Sequence, residues 1–232
     1  MAKRIPLVDA ARGFAAFLMI LYHFCFDLNY FGLLHQDFNT SPFWLSARAF
    51  IVSLFLTLSG ISLVLASDRG TRHALIRLVR LLAASIVVTL GSYLMFPQSF
   101  IFFGILHFIL VASLIGMFFL KFYRANLIFG MIILAFGLAY SNPVFDAPYL
   151  QWIGLMTHKP YTEDYVPLFP WMGMVLIGMF LGKLLFEHLK PQWLWGYAPA
   201  MKFPALLGRH SLAVYLLHQP ILIGILYLIF GH

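Results

Sequence analysis

A chain of 232 residues that is 62% hydrophobic and only 10% charged, with a mean hydropathy of +0.90, is excluded from the soluble globular class. The net charge of +7 is carried by loops and helix ends, and no nucleic-acid partner is expected. One cysteine, Cys25, excludes an internal disulfide and a thiolate metal site, and no metal is expected. Apolar stretches of about 20 residues recur along the whole length, which selects helices over the shorter alternation of a membrane β-barrel. The expected fold is therefore an all-α polytopic membrane protein, one domain over residues 1–232, with about seven transmembrane helices. They are placed near 8–34, 43–66, 81–97, 100–120, 125–141, 168–187 and 211–230.

The first segment is expected to be a true span rather than a cleaved leader, because its apolar run is long, lacks a small-residue cleavage site and contains Arg12, His23 and Asp27. A charged residue near the bilayer centre costs at least ~2.5 kcal/mol, so such groups face a protein interior or a wet cavity. At about 100° per residue, Arg12, His23 and Asp27 fall on one face, with Ala16, Met19 and Tyr30. The stripe is expected to line a conduit. The i, i+4 spacing of His23 and Asp27 lets the carboxylate orient the imidazole as a general base. The plainer alternative is a buried pair that only specifies helix packing.

Arg48 lies about one turn inside the second span, where it could pair with Asp27 or stand at a cavity wall and contact an acceptor. Next comes DRGTRHALIRLVRLL, whose Arg69, Arg72, Arg77 and Arg80 mark a cytoplasmic loop. They would also make a cationic rim for a phosphorylated ligand. Pro97, Gln98 and Ser99 turn the third span tightly into the fourth, which carries His107. Between the fifth and sixth spans a long loop, 142–167, holds Asp146, Glu163, Asp164 and the stretch YLQWIGLM, suited to a short interfacial helix. The spacing in GMFLG, Gly178 to Gly182, is a close-packing signal.

Before the last span, Arg209, His210 and Ser211 could add a guanidinium and helix N-terminal donors to a phosphate site. Ser211 serves equally well as an ordinary N-cap. Within the span Pro220 frees a carbonyl one turn earlier, beside His218. His107 and His218 are each read first as helix-to-helix hydrogen bonds, His218 being the stronger site candidate. Lys and Arg divide thirteen to one between the two sides if the N-terminus is cytoplasmic. With seven spans the C-terminus then lies outside.

Three stretches carry a resemblance: LVDAARGFAAFLMILYHFCFDL, EDYVPLFPWMG and LLGRHSLAVYLLHQP. In this order they resemble bacterial members of the heparan-α-glucosaminide N-acetyltransferase catalytic-domain family. The Arg12 and His23 spacing is also similar to the first-helix signature of membrane acyltransferases that decorate bacterial surface glycans. The resemblance implies transfer of an acetyl or similar acyl group from cytoplasmic acyl-CoA, the acetyl-CoA cosubstrate, to a glycan or amine acceptor outside a bacterial inner membrane. It implies His23 as the key histidine, or else His35, since the heparan enzyme's important histidine lies near that position. These families usually have more than seven spans, so the chain is either a reduced core or one that a second copy completes as a homo-oligomer.

Joined to the residues, this gives a working expectation. Arg12, Arg77, Arg80, Arg209, His210, Ser211 and His218 hold the cofactor, and His35, Arg48, His107 and Asp164 meet the acceptor. His23 and Asp27 carry the chemistry. The competing expectation is a proton-coupled transporter or channel using the same His, Asp and Arg cluster, with the helix at Pro220 as its gate.

Overall fold

In the computed structural model the described residues are 5–67, 70–190, 192 and 201–231, and their regular structure is helical. The elements are α1 (Pro6–Tyr30), α2 (Pro42–Ser67), α3 (Thr71–Met95), α4 (Ile105–Phe119), α5 (Arg124–Ala139), α6 (Leu168–Lys183), α7 (Lys202–Arg209) and α8 (Ser211–Phe230). Five are long and apolar enough to cross a membrane: α1, α2, α3, α6 with its π-helical extension to Leu189, and α8. The fourth and fifth expected spans are helices of 15 and 16 residues. At 1.5 Å per residue they run about 23 Å, short of a hydrocarbon core of about 30 Å.

Local chemistry sets the ends. Pro6 opens α1 and Asp9 sits in its first turn, where a negative charge meets the helix dipole. The helix stops four residues before the expected Leu34, since Gly32 just beyond it takes φ +71°. The third helix begins ten residues before the expected start at 81. Hydropathy follows lipid contact rather than helicity, so Arg72, Arg77 and Arg80 lie on α3 itself instead of in a loop. The expected interfacial helix in YLQWIGLM is one 3₁₀ turn, Gln151–Ile153, ended by Gly154 at φ +93°.

The chain forms two compact units. The larger contains residues 56–191, hence the second part of α2 and α3 to α6. Here the GMFLG expectation holds. A Cβ on Gly178 would run into the backbone of Thr57, and one on Gly182 would stand 3.2 Å from the Ile61 Cα, so α6 and α2 pack backbone to backbone.

The smaller unit contains residues 3–55 and 192–232, hence α1, the first part of α2, α7 and α8. An element without a hydropathy signal of its own, the eight-residue α7, is pressed against α1. A Cβ on Gly13 would strike the carbonyl of Pro204, and one on Gly208 the carbonyl of Asp9. The stripe foreseen on α1 faces inward at Ala16, Met19 and Asp27, which are 0%, 5% and 2% exposed. Tyr30 departs from it: the ring is 69% exposed.

Candidate active site

The smaller unit places polar side chains at three levels along α1. At the end nearer the N-terminus, Asp9 gathers two arginines. Its Oδ1 lies 3.4 Å from Arg12, one turn along α1, and its Oδ2 lies 3.7 Å from the Nε of Arg209 at the end of α7. Both arginines stand out in the sequence as cofactor candidates; the carboxylate that joins them does not. The close approach at Gly13 and Gly208 brings the two helix ends within reach of one acid. His210 is the residue between α7 and α8 and caps neither through its side chain. Ser211 is the first residue of α8 rather than its N-cap, so the ordinary capping role does not apply.

In the second half of α1, His23 meets α8. The rings of His23 and His218 are 5.0 Å apart, edge to face at 66°. His218 is buried at 9% exposure. Its Nδ1 is 2.7 Å from the carbonyl oxygen of Tyr215. A carbonyl only accepts, so Nδ1 carries the hydrogen and Nε2 presents a lone pair. That Nε2 is buried and has no hydrogen-bond partner among the described residues. One residue further, the amide of Gln219 donates from Nε2 to Asp27 Oδ1 at 2.7 Å.

This differs from the expected pairing of His23 with Asp27. His23 makes no hydrogen bond among the described residues, and its ring packs edge to face on those of His218 and Tyr22. The reason is geometric. An i, i+4 spacing sets two side chains on one face, but a neighbouring helix that offers an amide at 2.7 Å claims the carboxylate first. Gln219 was missed because amides rarely mark sites by themselves; its signal was its place between His218 and Pro220. The alternative partner proposed for Asp27 also fails, as Arg48 has no carboxylate within ion-pair distance among the described residues.

At the far end of α1 a depression of about 590 Å³ is lined by Phe26, Asn29, Tyr30, Phe38 and the loop bearing His35 and Asp37. Gln36 is fixed from both sides. Its backbone N–H donates to Asn29 at 2.7 Å, and its side chain accepts from the Trp44 indole at 3.4 Å. Asp37 is held below the usual carboxylate range by the Thr40 hydroxyl, then by the backbone N–H groups of Asn39 and Thr40.

The remaining candidates belong to the larger unit. Arg77 and Arg80 lie on α3, while Arg69 lies outside the described residues. His107 uses both ring nitrogens locally. Nδ1 accepts from the Gly104 N–H at 3.3 Å, so Nε2 carries the hydrogen and donates to Thr89 Oγ1 at 3.0 Å. Thr89 in turn donates to the Ile101 carbonyl at 2.8 Å. Asp164 accepts from the Ile105 N–H at 2.8 Å, closing the N-terminus of α4. Through these bonds both residues fasten the 96–104 link. Thr162, donating to the Phe100 carbonyl at 2.8 Å, and Ser99, donating to Glu163 at 2.5 Å, do the same from the long loop.

The imidazole pair and the buried, amide-held carboxylate are thus carried by helices long and apolar enough to span a bilayer, as in a multi-pass membrane protein. The chain belongs to the heparan-alpha-glucosaminide N-acetyltransferase catalytic family, whose family model matches residues 4–220. It is thus a membrane acyltransferase by family, and the family in general uses acetyl-CoA as donor. No curated protein and no solved structure matches the sequence.

Proposed function

We propose that this chain moves an acetyl group from acetyl-CoA, entering from the cytoplasm, to an amine or hydroxyl of a glycan-like acceptor at the opposite face of a bacterial inner membrane. The observation that carries the reading is the contact of His23 with His218 beside Asp27, in a chain of an acetyltransferase family. The acceptor gives up a proton to an imidazole and attacks the thioester carbonyl. The carbon–sulfur bond then breaks, and the leaving thiolate takes the proton back. Asp27 offsets the positive charge that the imidazole pair gains in between.

Arg12 and Arg209, set side by side by Asp9, are proposed to receive the phosphates of acetyl-CoA. On the strength of the sequence, Arg77, Arg80, His210 and Ser211 remain candidates for the same task. Arg12 and His23 are eleven residues apart, roughly 16 Å along the helix, a distance that an extended pantetheine arm covers. The depression beside His35 is proposed as the acceptor's entrance; Arg48 remains, on the strength of the sequence, a candidate to contact the acceptor.

The test uses purified protein in lipid nanodiscs with radiolabelled acetyl-CoA and glucosamine as probe acceptor. Labelled acetylglucosamine and one free CoA per acetyl group are expected. If acetyl-CoA neither stabilises the protein against heat nor releases CoA, the proposal fails.

A further inference from the structure

We infer that His218, through its Nε2, is the catalytic residue that takes the acceptor's proton. This rests on the acetyl-transfer reading above and assigns a residue role within it.

Among the candidate site residues, three histidines lie within membrane-apolar helices, His23 on α1, His107 on α4 and His218 on α8, and their hydrogen bonds sort them. His107 has both nitrogens engaged by Gly104 and Thr89 and has no lone pair to offer. His23 has no hydrogen bond among the described residues, so nothing there fixes which nitrogen carries its hydrogen. His218 alone of the three has one nitrogen tied down and the other bare. The Tyr215 carbonyl holds Nδ1–H, and Nε2 stands buried with its lone pair unclaimed. That is how a general base is prepared: a fixed tautomer, a fixed ring, and one open acceptor site away from bulk water.

The surroundings agree with that role. The ring of His23 flanks His218 edge to face at 5.0 Å, so the two imidazoles share one spot between α1 and α8. Gln219, adjacent in sequence, anchors the same turn of α8 to Asp27. A buried polar nitrogen without a partner is unfavourable, and an acceptor whose N–H or O–H points at it relieves that cost.

The step balances as follows. Nε2 takes the hydrogen of the acceptor N–H or O–H, and the freed electron pair bonds to the acetyl carbonyl carbon. The C–S bond breaks, CoA departs as thiolate, and the His218 imidazolium protonates it. His218 ends neutral with Nδ1–H unchanged.

His218→Asn is the decisive variant. Its amide N–H stands where Nδ1–H stood and can still reach the Tyr215 carbonyl, but no basic nitrogen remains. Wild type is assayed first with acetyl-CoA and glucosamine; an inactive wild type would sink the acetyl-transfer reading itself. Given an active wild type, kcat for His218→Asn should fall by about 10²- to 10⁴-fold, with acetyl-CoA binding within threefold of wild type. Added imidazole should restore part of the rate to His218→Ala. Overturning results are a His218→Asn enzyme that keeps more than a tenth of wild-type kcat, a His218→Ala enzyme that binds acetyl-CoA but is not rescued, or rescue confined to His23→Ala.

Discussion

Gln219 and Asp27 lie 192 residues apart and meet in a hydrogen bond of 2.7 Å that joins α8 to α1. Asp27 is 2% exposed, so this amide stands where water would otherwise be. Hydrogen bonds to charged groups contribute about 1.5–3 kcal/mol, more than most neutral ones. The relationship fixes the second half of α1 against the helix that carries His218.

Replacing Gln219 by Leu should therefore destabilise the protein by about 1–3 kcal/mol. The expected readout is a lower unfolding midpoint in detergent micelles. Gln219→Glu, which sets one carboxylate against another, should be worse. Equal midpoints for wild type and both variants would mean that the bond contributes nothing.

The crossing of α1 and α7 depends on the absence of side chains at Gly13 and Gly208. Gly208→Val should push the helices apart and lower the unfolding midpoint sharply, since overpacking costs about 1–3 kcal/mol or more. Gly91→Ala, at a helix position with nothing within 4 Å, should leave the midpoint unchanged or raise it slightly. The contrast between two glycine substitutions in one chain isolates packing from backbone entropy.

The arginines around Asp9 are expected to bind rather than to catalyse. Arg209→Gln should raise KM for acetyl-CoA several-fold with kcat within about twofold, the pattern of a lost uniform binding contact. Higher salt should raise KM in wild type and much less in the variant, because part of the attraction is screened. A variant whose kcat falls while KM stays fixed would remove Arg209 from the phosphate site.

How much of this was legible beforehand differs by residue. Tracts of apolar residues gave the five long helices and the inward face of α1 at Ala16, Met19 and Asp27, because lipid imposes a composition that soluble folding does not. The start of α3 was not legible, since arginines in a helix extending beyond the apolar tract look like loop. Nor was α7: eight residues are too few for a periodic signal, and its place is set by two glycines that carry no side chain to read. At the site, His23, Asp27 and His218 were all named in advance. Their pairing was not, because which groups meet is decided between helices and not within one. Asp9 and Gln219 escaped notice for that reason.

The loop between α5 and α6 carries a pH dependence whose sign can be worked out. Asp146 is held below the ordinary value of 3.8 by the backbone N–H of Thr157, then by its hydroxyl, with a smaller effect from His158. A carboxyl depressed in the folded state stabilises it above the unfolded value and loses that contribution as pH falls through the folded one. Amide exchange at Thr157 should thus remain slow through neutral pH and accelerate only as the pH drops below about 3.8, beyond the intrinsic trend. Asp146→Asn should exchange faster at neutral pH. An exchange rate indifferent to both changes would show that the bond is not formed in solution.

The central claim is that an acetyl group passes from one face of the bilayer to the other through the imidazole pair, and sided vesicles test it most directly. Oriented proteoliposomes are loaded with glucosamine, and radiolabelled acetyl-CoA is added only to the outside, on the face bearing Arg209. The account predicts labelled acetylglucosamine inside the vesicles while CoA remains outside, with the signal lost in His218→Asn. Label found only on externally supplied glucosamine, or an undiminished signal in that variant, would contradict it.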